Sequence, residues 1–85
     1  MDGLILIRAK PDRTSSLIQL IRKIPGIRRA FQVYGQFDIV AFVEAPTYEA
    51  ISRATANIHA IEGINNTETL IEAVSERDVS FRNED

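Results

Sequence analysis

The chain has 85 residues, no cysteine, one histidine and a formal net charge of −2. Such a length points to one small domain. The composition excludes disulfides, thiolate metal sites and cysteine nucleophiles, and His59 alone cannot build a multi-histidine metal centre.

The N-terminal stretch MDGLILIRAK has no basic n-region and no small-residue cleavage site, so it reads as a strand, not as a signal peptide. No apolar run approaches the roughly 20 residues of a membrane span. A nucleic-acid binder carries a basic face that displaces counterions, and here the bases occur as isolated pairs, Arg22-Lys23 and Arg28-Arg29. The expectation is a cytoplasmic protein that contacts neither membrane nor nucleic acid directly.

Leu4-Ile5-Leu6-Ile7 is a run of branched residues closed by Pro11, which predicts a first strand. Pro11-Asp12 is a helix-start signal, with Asp12 as N-cap or early acidic residue. Leu17, Leu20, Ile21 and Ile24 then follow helical spacing, with Ile18 beside them, and Pro25-Gly26 ends the helix. From Ile27 to Tyr34 the chain alternates as a second strand, with Phe31 and Val33 expected inward. Gly35 marks a turn into a third strand, Asp38 to Ala45. Pro46-Thr47 opens a second helix with Thr47 as N-cap. Ile51, Ala54, Ile58 and Ile61 form its apolar stripe, and Gly63 ends it. Thr67 to Val74 is predicted as a fourth strand. The domain is expected to span residues 1–75. Glu76 to Asp85 reads as a charged, largely unstructured tail, in which Val79 and Phe81 alternate and can add a strand to a neighbour.

The chain contains signs of its own duplication. Ile21-x-x-Ile24-x-Gly26-Ile27 recurs as Ile58-x-x-Ile61-x-Gly63-Ile64, every position shifted by 37 residues. Each half reads strand, proline, helix, x-Gly-Ile, strand. Two interleaved right-handed βαβ units give a four-stranded antiparallel sheet with both helices on one face. That is an α+β, ferredoxin-like βαββαβ fold of the dimeric α/β-barrel type.

Two helices cover one face of that sheet only. Yet Leu4 and Leu6 oppose Ile5 and Ile7, and Ile39, Ala41 and Val43 oppose Val40 and Phe42. Strands apolar on both sides are buried on both sides. The second face needs a cover, and another copy packed sheet to sheet about a twofold axis is the simplest one. A standard interface of about 800 Å² per partner adds stability that a small core lacks.

No residue set supports catalysis. No paired carboxylates stand in an apolar setting, the four glycines are scattered, and His59 lies about 100° from its stripe neighbour Ile58, reading as a surface histidine. The turn Tyr34-Gly35-Gln36-Phe37-Asp38 is denser in chemistry. Asp38 can receive an ammonium, Gln36 can donate to a carboxylate, and exposed turn N–H groups can bind an anion. A plain hairpin, with glycine for the turn and Asp38 bonded to its own backbone, explains the same residues. In Asn65-Asn66-Thr67-Glu68-Thr69, Thr67 and Thr69 share one face of a strand. They can bond a polar ligand or simply reflect strand preference.

Together these stretches carry a resemblance. Gly35-Gln36-Phe37-Asp38 before an apolar strand, an amphipathic helix, and then Glu62-Gly63-Ile64-Asn65-Asn66-Thr67-Glu68-Thr69 resemble the effector domain of the Lrp/AsnC transcription regulators, the RAM domain. The family pattern, G-x-(Y/F)-D-apolar and later x-G-(V/I)-x-x-T-x-T, is matched in order from about Leu4 to Val74. The resemblance implies dimers through the sheets, octamer-like rings of dimers, and amino-acid ligands bound between dimers near the turn. By position, Gly35, Gln36, Phe37 and Asp38 form the pocket's turn, with Tyr34 beside it, and Thr67 and Thr69 join from the fourth strand. Full regulators of the family open with a helix-turn-helix DNA-binding domain. Here the first strand opens at once, so a stand-alone effector domain is expected, partnered with itself or with a full-length relative. No cofactor is expected. Two alternatives stay open: a small dimeric α/β-barrel enzyme of monooxygenase or isomerase type, with its pocket between sheet and helices, and a purely structural subunit.

Overall fold

A computed structural model describes residues 1–73. Strand β1, Asp2–Ala9, alternates between buried Ile5, Ile7 and Ala9 and half-buried Leu4 and Leu6. A short 3-10 turn over Pro11–Arg13 leads into α1, Thr14–Ile21. β2 is Ile27–Gln32, β3 is Ile39–Glu44, α2 is Tyr48–His59 and β4 is Ile64–Ile71. The sheet order is β2-β3-β1-β4, all neighbours antiparallel. This is the ferredoxin-like arrangement, with β1 and β3 central. Val74 and the charged tail from Glu76 to Asp85 lie outside the described residues. No described helix is long and apolar enough to cross a membrane.

The core lies between the inner sheet face and the helices. Leu17, Ile18 and Ile21 of α1 and Ile51, Ala54 and Ile58 of α2 pack on Ile5, Ile7, Ile39, Ala41 and Val43. Burying a side chain of this size contributes about 1.5–3 kcal/mol, so this layer dominates the stability of the domain.

The duplication extends into the backbone. Ile24 N–H donates to Ile21 O at 3.0 Å and Ile61 N–H to Ile58 O at 3.0 Å. Ile27 N–H donates to Ile24 O at 3.1 Å and Ile64 N–H to Ile61 O at 3.2 Å. Gly26 and Gly63 take φ of 94° and 105°, a left-handed region that side chains avoid. After each glycine the strand is bulged. Arg28 is the extra residue in β2, where Ile27 and Arg29 face Val43 and Phe42. Asn65 is the extra residue in β4, where Ile64 and Asn66 face Ala9 and Arg8. Arg28 and Asn65 are also separated by the 37-residue offset.

Several expectations are corrected. Asp12 is the early acidic residue of the first turn, as one of its two expected roles had it, but not an N-cap, because Pro11 starts a 3-10 turn first and no side chain caps that turn or α1. Thr14 instead donates its hydroxyl to Pro11 O at 3.0 Å. Leu20, expected on the apolar stripe, is 46% exposed. It sits about 110° from the centre of the arc formed by Thr14, Leu17, Ile18 and Ile21 at the helical 100° per residue. In β2 the residue turned to the helices is Ala30, 1% exposed. Phe31 faces the other way, its ring centroid 5.9 Å from that of Phe42. A small residue is needed there because α1 lies close. The Arg22 guanidinium donates to Ala30 O from Nε at 3.2 Å and Nη2 at 2.9 Å, tying α1 to the edge strand. β4 starts three residues before its predicted start, since the bulge at Asn65 keeps Ile64 paired with Ala9.

The expected helix start at Thr47 holds: its side chain accepts from Ala50 N–H at 3.1 Å. The second sheet face is apolar as expected, with Leu4, Leu6, Val40, Phe42 and Leu70 on it, Phe42 and Leu70 being 39% and 50% exposed.

Candidate functional site

The turn between β2 and β3 is pinned at one end and free at the other. Val33 N–H donates to Asp38 O at 2.9 Å and Asp38 N–H to Ile7 O at 2.8 Å. The Asp38 carboxylate accepts from Ala9 N–H through Oδ2 at 2.9 Å. Ala9 is where the β1–β4 register shifts, so the carboxylate satisfies a donor beside a ladder irregularity. Asp38 therefore bonds another strand's backbone rather than its own turn. Its Oδ1 accepts no hydrogen bond among the described residues. Phe37 is half-buried, with the Arg8 guanidinium carbon 5.2 Å from its ring centroid, a cation–π distance. Tyr34, Gly35 and Gln36 project into solvent, Tyr34 at 92% exposure. Gly35 has φ of 135°, and a Cβ built on it would meet nothing within 4 Å. Its glycine serves the backbone conformation, not a close approach.

Thr67 and Thr69 lie elsewhere. On β4 they alternate with Glu68 and Leu70 and pair across to Ile7 and Ile5 on the helix side. There they line a cleft of about 470 Å³ between α2 and β4, with Tyr48, Ser52, Thr55 and His59 on the opposite wall. Thr55 donates its only hydroxyl proton to Ile51 O at 3.1 Å. In its 2.9 Å contact with Thr69 either hydroxyl can donate, and with the Thr55 proton on Ile51 O it is Thr69 that donates. In that arrangement Thr69 gives its proton to Thr55 and keeps lone pairs to accept from a ligand donor. Ser52, Thr67 and Tyr48 supply hydroxyl donors nearby. The cleft is open to solvent and carries hydroxyls on both walls, set among the apolar side chains of Ala56, Ala60 and Ile71.

A single chain does not bring the predicted site residues together. Asp38 and its turn adjoin β1 at Ile7 to Ala9, while the threonines open on the cleft beyond β1, and no turn residue lines that cleft. The cleft's α2 wall was not singled out from the sequence, although it had a signal. Tyr48, Ser52, Thr55 and His59 recur at helical spacing, a polar stripe beside the apolar one of Ile51, Ala54 and Ile58. His59 is exposed, as expected, and stands at the cleft lip.

A family model described as the Lrp/AsnC ligand binding domain matches residues 3–76. The chain belongs to this family. Among curated proteins it is similar to the HTH-type transcriptional regulator LysM of Saccharolobus solfataricus, 26% identical over 70 residues. It is similar to the same extent, 26% over 70 residues, to a homocitrate synthase of Sulfurisphaera tokodaii. The match covers 81% of this chain in both cases, but 49% of LysM and 15% of the synthase. The chain thus spans less than half of either relative. Among solved structures, TTHA0845 from Thermus thermophilus superposes with a TM-score of 0.78 at 29% identity, over 88% of this chain and 98% of that one. Matching stretches thus occur in one protein named as an HTH-type transcriptional regulator and in one named as a homocitrate synthase, and the family itself is described as ligand binding.

Proposed function

We propose that this Lrp/AsnC domain is an amino-acid-sensing assembly module. Its ligand lies in the α2–β4 cleft of one chain and is closed over by the Tyr34–Asp38 turn of a neighbouring chain. The observation that carries this is the separation of the two candidate sets. Turn and threonines do not meet within one chain, while the cleft is open and the turn tip stands free.

The chemistry suits an amino acid. Thr69, with its proton committed to Thr55, accepts from an ammonium. The hydroxyls of Thr67, Ser52 and Tyr48 donate to a carboxylate, aided by Gln36 and turn N–H groups of the neighbour. Asp38 mainly holds the turn, and Oδ1 is its remaining acceptor. Apolar sheet faces join chains into twofold dimers, and turn-to-cleft contacts join unlike surfaces, which generate rings when the rotation closes. A ligand at the second contact biases assembly by its differential affinity for the assembled form. The LysM similarity supports co-assembly with a DNA-binding relative as the output. The homocitrate synthase similarity supports a second output, feedback on an enzyme.

The cleft lies between sheet and helix, where a barrel-type enzyme would keep its substrate. A general base needs an orienting group, however, and His59 makes no hydrogen bond among the described residues. Titration calorimetry with a panel of amino acids, on wild type and on Thr67→Val/Thr69→Val, tests the reading. At least one amino acid binds wild type and raises its assembled mass, and the double variant loses that binding. Binding by no amino acid would remove the sensing role. Undiminished binding by the double variant would move the site away from the cleft.

A further inference from the structure

The sheet has two edges, and the described chain plugs one of them. Ladder bonds fix which backbone groups point outward. Val33 N–H donates to Asp38 O, so by the β2–β3 register Ala30 and Gln32 turn their N–H and C=O groups away from β3. The Ala30 carbonyl is met there by the Arg22 guanidinium, from Nε at 3.2 Å and Nη2 at 2.9 Å. At the other edge Glu72 N–H donates to Asp2 O, so Thr67, Thr69 and Ile71 turn theirs away from β1. Thr67 stands 37 residues after Ala30, and His59 stands 37 after Arg22. His59, the shorter side chain, makes no hydrogen bond among the described residues, and nothing described there bonds the outward backbone groups of Thr67, Thr69 and Ile71. Strand β4 has 8 residues, no lysine and no proline, and its bulge lies at its start. From Asn66 onward it lacks the guards that sheet edges commonly carry.

We infer that β4 takes a further strand, an extended segment of a partner protein that bonds the main chain of Thr67, Thr69 and Ile71. The pairing is antiparallel, like every other pair in this sheet. Residues directly opposite one another then share a face. Side chains opposite Thr67 and Thr69 lie on the helix side and enter the cleft of about 470 Å³, where Ala56, Ala60 and Ile71 leave room for small or branched apolar groups. Side chains opposite Glu68 and Glu72 lie on the other face. β4 carries no basic residue, and neither glutamate has an ion-pair partner among the described residues, where the one ion pair is Arg28–Glu44. An opposite charge directly across a strand pair is stabilising. The segment that fits therefore alternates lysine or arginine with small apolar residues. Glu68 is its principal anchor, because the Glu72 carboxylate already accepts from Asp2 N–H at 2.9 Å. The segment shares the cleft with the amino acid proposed above, but it is held by the strand edge and not by the hydroxyls.

The probe is a capped peptide of about seven residues alternating valine and lysine, added to the full chain and followed by amide hydrogen exchange. At about ten times its Kd it slows exchange at Thr67, Thr69 and Ile71 about tenfold. Glu68→Lys raises the Kd about threefold to tenfold. In antiparallel pairing the valine N–H groups face β4 and the lysine N–H groups face away, so N-methylating the valines abolishes binding and N-methylating the lysines spares it. A purely ionic association is blind to that difference. Thr67→Val/Thr69→Val removes hydroxyls and keeps the backbone, so it retains the peptide even where it loses amino acids. Failure of every amino acid to bind leaves this result untouched. Unchanged exchange at about 1 mM peptide, amides already slowed before peptide is added, methylated valines that bind no worse than methylated lysines, or loss of the peptide in the threonine double variant would each overturn the added strand.

Discussion

The two βαβ halves leave their helices alike and then diverge at their edge strands. Each helix exit repeats the same hydrogen bonds, the same left-handed glycine and the same one-residue bulge. On either side of that exit, positions related by the 37-residue offset carry different chemistry. Ile18 corresponds to Thr55, Ala30 to Thr67, Gln32 to Thr69 and Arg22 to His59. In the first half, buried Ile18 and Ala30 close α1 onto β2, and Arg22 ties the edge carbonyl. In the second half, hydroxyls replace them and a cleft opens between α2 and β4. The lesson is local. One backbone unit serves as a packed wall or as a polar cleft according to whether these few positions carry methyl groups or hydroxyls.

The strongest test of the shared frame is at its core. Ile21 and Ile58 are equivalent and both fully buried. Ile21→Ala and Ile58→Ala each cost about 2–5 kcal/mol in urea unfolding. A cost below about 1 kcal/mol at either site would show that its half does not depend on the shared core.

The next effect is at the exits. Gly26→Ala and Gly63→Ala force a side chain into left-handed backbone and cost about 1–2 kcal/mol each. Added strain differs between them. A Cβ at Gly26 meets the Glu44 backbone oxygen at 3.3 Å, whereas one at Gly63 meets the Leu17 methyls at 3.4 Å. Side-chain methyls yield more readily than a backbone carbonyl, so thermal unfolding finds Gly26→Ala the less stable of the pair.

Helix starts separate the halves further. Thr47 caps α2, and Thr47→Ala costs about 1 kcal/mol. Asp12 caps nothing in the first half, so Asp12→Ala stays within about 0.5 kcal/mol of wild type. Chemical denaturation of both variants reads the contrast, and an equal loss would restore Asp12 as a cap.

How far the sequence revealed this follows from what each feature depends on. The x-Gly-Ile repeat, the prolines before the helices and the two-sided apolar strands all act through local backbone needs or period-two burial, so topology and the open face were legible. The facing of β2 was not. A single bulge at Arg28 inverts which residues look inward, and nothing in IRRAFQ distinguishes a bulged strand from a regular one. Leu20 was misplaced because it lies i+3 from Leu17, which is itself at the edge of the buried arc, so the further step of about 60° carries it off the stripe. The turn and the threonines were legible as polar clusters, but strand order decides whether clusters meet, and β1 lies between them. The α2 wall was missed because hydroxyls on the polar side of an amphipathic helix look like any solvated face until a neighbouring strand presents hydroxyls back.

The smallest effect on stability is the one that bears most on function. Thr55→Ile gives the second half the residue that the first half carries at Ile18. It removes the 2.9 Å hydrogen bond to Thr69 and the 3.1 Å bond to Ile51 O, a loss of about 1 kcal/mol. It also adds apolar area against Ile71 and the cleft floor, offsetting part of that. The net change in unfolding free energy is within about 1 kcal/mol. The cleft, however, loses space and polarity together, and Thr69 regains a free proton where an ammonium donor would sit. Calorimetry should therefore find amino-acid binding lost in a chain that melts almost as wild type does. Retained binding would mean that the difference between the halves is tolerated variation in packing, and that the ligand belongs elsewhere on the domain.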